Sequence, residues 1–287
     1  MFLSRPDASL FHRAPRPTDA RLLLRSLGTA GFVLELAGRT LAIDPFVSRP
    51  GILRTLFCRL IPDAETIARH IPHADDVLVG HSHYDHVLDA PTLCLQTGAR
   101  LIGSPSTANC GRAAGLPEAQ IVETRGGEEI RAGQVTLRGL PSRHGRVYFN
   151  RVTLPGAIEE PPPWPPRLRD LRHGQVLNWH VEGDGLSLVH IDSADFITEE
   201  LEGLRADVLC LCAIGRRYRP DYVQEAVEKL RPDYIVACHW DWFFGQIAEG
   251  ASDQPLLPGV DLPGFLEEIR RAGPVPVVLP FAGEFGL

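Results

Sequence analysis

The run Val77-Leu78-Val79-Gly80-His81-Ser82-His83-Tyr84-Asp85-His86 sets three imidazoles and one carboxylate within six residues, directly behind an apolar stretch. With 11 His in 287 residues, a chance His-x-His-x-Asp-His arises in about one chain per thousand of this make-up. A solvated polar loop is therefore a poor account of it. Neutral imidazole and carboxylate suit zinc, iron or manganese, and no Cys pair stands nearby to close a structural zinc site. The expected site is open and catalytic. At a strand end, residues i and i+2 project to one side, so His81 and His83 can grip one ion. Asp85 and His86, a step further as the chain turns, can reach a second. Two ions about 3.5–4 Å apart clamp a bridging hydroxide and the oxyanion of a hydrolytic transition state.

Four other stretches stand around this one in a telling order. They are Leu27-Gly28-Thr29-Ala30-Gly31-Phe32-Val33-Leu34-Glu35 with Leu41-Ala42-Ile43-Asp44-Pro45-Phe46, then Leu140-Pro141-Ser142-Arg143-His144, then Leu188-Val189-His190-Ile191-Asp192-Ser193-Ala194-Asp195, and last Ile235-Val236-Ala237-Cys238-His239-Trp240. Together with His-x-His-x-Asp-His, they resemble the metallo-β-lactamase superfamily over roughly residues 22 to 284. The resemblance implies a four-layer αββα sandwich, an α/β fold with metals at one edge between two sheets. It also implies two divalent metal ions, zinc first and manganese or iron after it. His81, His83 and His144 would hold the first, Asp85, His86 and His239 the second, with Asp192 shared and Asp44 beneath. Asp195 competes locally with Asp192, which directly follows the apolar strand and is preferred. His190, on the same strand face as Asp192, is a supporting group. The other five histidines (His12, His70, His73, His173, His180) have no matching context.

Composition agrees with a single soluble domain. A chain of 287 residues with 44% hydrophobic residues can bury a layered core, and residues 1–287 are read as one domain. A formal charge of −7 disfavours a general nucleic-acid surface. No run approaches 18 apolar residues, so no integral membrane association is expected. The first residues hold no continuous apolar segment of a secretion signal, and a cytoplasmic location is expected by default. The six cysteines (Cys58, Cys94, Cys110, Cys210, Cys212, Cys238) show no repeated spacing and are read as reduced thiols.

Apolar runs bounded by turn residues predict strands at 22–27, 32–36, 40–44, 76–80, 100–103, 120–124, 129–132, 135–140, 176–182, 186–192, 208–212, 234–238 and 275–279. Helices are predicted at 65–70, 106–114, 221–230 and 262–272. A further one opens at Asp89-Ala90-Pro91, with Asp89 as N-cap, and stops at Gly98.

The Pro-rich segment 154–166 excludes regular structure; it is either a substrate-shaping loop or a surface connection with Trp164 pinned to the body. Arg143, Arg146 and Tyr148 near His144, and Arg216, Arg217, Tyr218 and Arg219 after the 208–212 strand, supply cations suited to phosphate or carboxylate. Arg143, Arg146, Arg216, Tyr218 and Trp240 are the expected substrate-binding groups. Trp240, Trp242, Phe243 and Phe244 either wall an apolar pocket or pack beneath it.

The Asp44-Pro45-Phe46 ending, the Pro-Ser-Arg-His station and the His239-Trp240 pair resemble the group that includes N-acyl-phosphatidylethanolamine phospholipase D. That resemblance implies hydrolysis of a phosphodiester in a small or lipid-like substrate. One departure is Gly145, where such lipases place Trp. The expected catalytic groups are Asp85, or alternatively Asp192, orienting water and accepting its proton, and His239, which can protonate the leaving group. The alternative is a lactone or amide hydrolase on the same metals. A diiron oxidoreductase of the same fold is the weaker reading, since no flavodoxin-like domain follows.

Overall fold

The computed structural model describes residues 3–12, 18–245, 247 and 254–287. Its strands are β1 Leu22–Gly28, β2 Gly31–Leu36, β3 Arg39–Ile43, β4 Asp76–Leu78, β5 Arg100–Gly103, β6 Ile121–Glu123, β7 Glu129–Ala132, β8 Val135–Ser142, β9 Val176–Gly183, β10 Leu186–Ile191, β11 Val208–Cys212, β12 Tyr234–Cys238, β13 Val275–Val278 and β14 Glu284–Gly286. They form two seven-stranded sheets, ordered β14-β1-β2-β3-β4-β5-β6 and β13-β12-β11-β10-β9-β8-β7. In the first, β14-β1, β1-β2 and β2-β3 pair antiparallel and the rest pair parallel. The second repeats that pattern, antiparallel from β7 to β10 and parallel from β10 to β13. The two halves thus share a plan that no sequence repeat betrays.

Strand periodicity explains the layering. Along the first sheet, Leu24, Phe32, Leu34, Leu41, Ile43 and Leu78 enter the large core that also holds Leu137, Trp179, Val189 and Leu211 of the second sheet. Their alternating neighbours Val33, Ala42, Val77 and Val79 face a second core beneath helices. A strand apolar on both faces is what a sheet covered on both sides requires. The helices are α1 Ile52–Phe57, α2 Ala64–His70, α3 Tyr84–Val87, α4 Ala90–Thr97, α5 Pro105–Ala113, α6 Tyr222–Leu230 and α7 Leu262–Ala272. Leu93 and Cys94 of α4 and Cys110 of α5 pack in the second core, while Ala226 of α6 and Phe265 and Ile269 of α7 pack in the large one. This is the expected αββα sandwich.

Three local features differ from the sequence expectation. β14 is too short to announce itself, and α1 carries no polar face to mark a helix. Asp89 stands at the N-cap of α4, yet its side chain makes no capping bond. Its carboxylate instead accepts from the backbone N–H groups of Val47 and Ser48, at 2.7 and 2.8 Å. All six cysteines are free thiols, five of them buried. No helix among the described residues is long and apolar enough to cross a membrane.

Candidate metal centre

The ends of strands from both sheets converge on one point. Asp44 follows β3 and His81 follows β4 by a short turn; His144 follows β8, Asp192 follows β10 and His239 follows β12. His83 is the N-cap of α3, whose four residues include Asp85 and His86, all buried. The local sequence dictates this: β4 ends at Leu78, and the one-turn helix after His83 then swings Asp85 and His86 to the far side of the site.

His81 Nε2 lies 3.0 Å from His83 Nδ1, which lies 3.2 Å from His144 Nε2. Across the site His239 Nε2 is 3.3 Å from Asp85 Oδ2, and His86 Nε2 is 3.8 Å from the same oxygen. Asp192 connects the two sides, with Oδ2 2.6 Å from His81 Nδ1 and 3.6 Å from His86 Nδ1. Three potential ligand groups result: His81, His83 and His144; His81, His86 and Asp192; and Asp85, His86 and His239.

The donor set fits a cation. Ligands at 2.0–2.1 Å from a tetrahedral ion stand about 3.3 Å apart, close to the nitrogen spacings seen. Burial comes first in pushing the His83 imidazole down to about 3 and His144 to about 4, with neighbouring imidazoles adding to it at His83. His81 is held well below its usual range, again by burial and then by His86 and His83. These rings are neutral and offer lone pairs. A proton can satisfy one nitrogen pair, whereas a cation satisfies all three. The buried Asp192 Oδ1 has no hydrogen-bond partner among the described residues, another acceptor that a cation would use.

Supporting groups fix the ligands. Asp44 Oδ2 lies 3.0 Å from His86 Nδ1, while Oδ1 accepts from the Gly80 N–H at 2.7 Å. A proton on His86 Nδ1 leaves Nε2 free to ligate. Burial works against the charged form of His86, but Asp44, Asp85 and Asp192 together outweigh it and raise the group to about 9, so a cation binding at Nε2 would displace a proton there. Burial likewise opposes ionisation of Asp85, and His86, His239 and His83 overcome it, holding the carboxyl below the usual range. Asp44 and His239 both take left-handed backbone, φ 44° and 54°, strain of the kind concentrated at functional sites. His190 Nε2 donates to Ala30 O, 2.8 Å away, and places Nδ1 3.9 Å from Asp44.

Beside these residues opens a cavity of about 260 Å³, walled by Tyr84, Val147, Tyr148, Thr153, Leu154, Leu168, Ile214, Phe243 and Phe244. None of the five expected substrate-binding residues lines it. Arg143 is exposed and Arg146 turns to Asn150 O. Arg216 pairs with Glu268 at 2.8 Å and stacks over Phe265 of α7. Tyr218 bonds to Arg217, and Trp240 is buried against Phe11. The Pro-rich segment is tied to the body, because Ser106 Oγ and Asn109 Nδ2 bond to Ile158 and Trp164 packs on the second core. Only its first residue, Leu154, borders the cavity. His173, which had no marking context in the sequence, stacks on His144 with ring centroids 5.6 Å apart. Tyr84 was within the motif all along; its place in the cavity wall was the unmarked part. Gly145 has a steric cause: a Cβ there would lie 2.8 Å from Ala194 N, so no Trp fits.

A family model described as a beta-lactamase superfamily domain matches residues 23–239. A UPF0173 metal-dependent hydrolase of Anaeromyxobacter dehalogenans (strain 2CP-1) is 30% identical over 242 residues, covering 80% of this chain and 78% of its own. Among solved structures, a metallo hydrolase from the archaeon Ignicoccus hospitalis superposes with a TM-score of 0.61 at 18% identity, over 93% of this chain and 99% of the other. CmlA, a diiron beta-hydroxylase from Streptomyces venezuelae, gives 0.61 at 16% identity over 95% of this chain and 55% of its own; at these identities the likeness is one of fold. The chain belongs to the beta-lactamase superfamily. Its relatives and its own clustered His and Asp ligands together set it among the metal-dependent hydrolases of that superfamily.

Proposed function

We propose that this chain is a two-metal hydrolase of an uncharged carbonyl bond, a lactone or amide, carried by a substrate with apolar substituents. The observation behind this is the cavity wall: beyond the metal-ligand residues it is aromatic, aliphatic, hydroxylic or, at Cys212, a thiol, with no Arg or Lys among the described residues. The arginines that favoured phosphate point elsewhere, and with them goes the main reason to prefer an anionic substrate. His81, His83 and His144 would hold one ion and Asp85, His86 and His239 the other, with Asp192 between. When bound, such ions polarise the scissile bond and lower the pKa of water.

The protein's own groups do the rest. Asp85, kept ionised by its three imidazole neighbours, is the acceptor for the proton of the attacking water. With its Nε2 3.3 Å from Asp85 and given to the ion, His239 would position Asp85, and the protonated Asp85 carboxyl would return the proton to the leaving group. Phe243 and Phe244, whose ring centroids are 4.7 Å apart, keep water from the apolar side of the cavity and position acyl substituents there. A phosphodiester is the second reading, supported by charge: two divalent ions against Asp85 and Asp192 leave the centre positive without any arginine.

The test loads the full chain with zinc, manganese or iron, counts bound metal, and compares turnover of an acyl lactone, an aryl amide and bis(p-nitrophenyl) phosphate. Lactone or amide turnover, reduced about 10²–10⁴-fold in Asp85→Asn, is the expected result. Turnover of the phosphodiester alone would establish the second reading instead.

A further inference from the structure

We propose that the segment from Gly51 to Pro62 is a docking surface for an anionic lipid bilayer, seated beside the mouth of the cavity. Its polarity is inverted relative to an ordinary surface helix. In α1 the inward residue is Thr55, whose hydroxyl bonds to Pro50 O and Gly51 O, both 3.2 Å away. The outward residues are apolar: Leu53 is 71% exposed, Phe57 69% and, just beyond the helix, Ile61 63%, with Ile52 and Leu56 also exposed. Single exposed apolar side chains are ordinary, but five within ten residues form a patch that calls for a cover.

Charge selects the cover. From Pro50 to Pro62 the chain has two cations, Arg54 and Arg59, and no acid. Both are exposed, and neither has an ion-pair partner among the described residues. Apolar side chains interleaved with arginine are the composition that inserts shallowly at a lipid interface and attracts anionic head groups. A second copy of this chain fits less well. A two-fold contact through this patch would bury Arg54 and Arg59 against an identical patch that has no acid to pair with them.

The patch is also rigidly joined to the cavity. Arg167 Nη1 donates to Phe57 O at 3.0 Å, Arg59 Nη1 to Pro165 O at 2.7 Å, and the Leu60 N–H to Pro166 O at 2.7 Å. Leu168, one residue after Arg167, lines the cavity. A bilayer under α1 therefore lies next to the cavity entrance.

The experiment is co-sedimentation of the full chain with phosphatidylcholine vesicles, with and without phosphatidylglycerol, at low and high salt. Light scattering without lipid runs in parallel. Binding to the anionic vesicles that weakens with salt is expected, lost in Leu53→Ser/Phe57→Ser and about fivefold weaker in Arg54→Gln. These residues are exposed, so melting temperature and metal content should match the parent and exclude misfolding. Absence of binding to anionic vesicles, or unchanged binding by Leu53→Ser/Phe57→Ser, overturns the proposal. So does a lipid-free dimer that the same double substitution dissociates, which would assign the patch to a second copy.

Discussion

Arg49 Nη1 lies 2.9 Å from Asp241 Oδ2, and both side chains are buried at 1% exposure. The guanidinium also donates to Leu27 O, Thr29 Oγ1 and Trp242 O, while Asp241 Oδ1 accepts from the Thr29 N–H at 2.7 Å. One ion pair thus ties together the β1-β2 turn, the loop after Asp44 and the loop after His239. Gly28 leaves the room: its φ is +70°, and a Cβ there would collide with Arg49 Nη2. Removing one member strands the other charge in the interior, so Arg49→Met should cost about 3–5 kcal/mol. Arg49→Met/Asp241→Leu should recover part of that loss. A double-mutant cycle by urea denaturation checks it, and two equal, additive losses would show that the pair is not coupled.

Asp44 is placed to act through His86. Burial first, then the nearby Asp192, raises its carboxyl above the usual range against the pull of His86 and His190, which marks it as a costly group kept for its hydrogen bonds. Without Oδ2, the His86 ring loses the acceptor that sets its tautomer and orientation. Asp44→Ala should weaken metal affinity about 10–100-fold while Asp85 and His239 keep their places. Competition with a chromogenic chelator measures it; unchanged affinity would remove Asp44 from the site's support.

What the sequence made legible was whatever is encoded locally. His239 was visible because the apolar run Tyr234–Cys238 stops at it, and His81 to His86 because the ligands sit side by side. Side-chain direction was not legible. Arg216 looks like a site cation until α7 supplies Glu268, and Trp240 like a pocket wall until Phe11 arrives from the N-terminal segment. Arg49 had no local mark, since its partner is on a loop far along the chain. The cavity's apolar character, on which the proposed substrate rests, comes from stretches as far apart as Tyr84, Val147, Ile214 and Phe243 and could not be assembled from any one of them.

Asp89 gives the fold a pH dependence independent of metal. Its carboxyl is raised to about 6, chiefly by burial, against the opposing bonds from Ser48 and Val47. The folded pKa lies above the unfolded value, so between about pH 4 and 6 the native state binds the extra proton. This group therefore adds stability as pH falls through 6 and takes it away as pH rises, by up to about 3 kcal/mol across the window. Asp89→Asn, which keeps an acceptor for Val47 and Ser48, should flatten that part of the profile. Denaturation of both proteins from pH 7 to 5 tests it, and parallel profiles would show that Asp89 does not titrate there.

Gly80 is a glycine for reasons of space, not backbone freedom. A Cβ at this position would collide with Asp192 Oδ2 and approach Leu177 O at 3.1 Å. The Leu177 N–H bonds to Gly80 O at 2.8 Å, which holds the Gly80 backbone against β9, so Asp192 must move instead. Because Asp192 is the carboxylate that reaches both His81 and His86, its displacement should fall on metal binding more than on the fold. Gly80→Ala is expected to bind fewer ions per chain and to lose turnover, with a melting temperature of the metal-stripped protein near that of the parent. Metal content after dialysis against zinc, read beside the melts of the stripped proteins, separates the two effects. Full metal occupancy in Gly80→Ala would mean that Asp192 does not link the two halves of the centre.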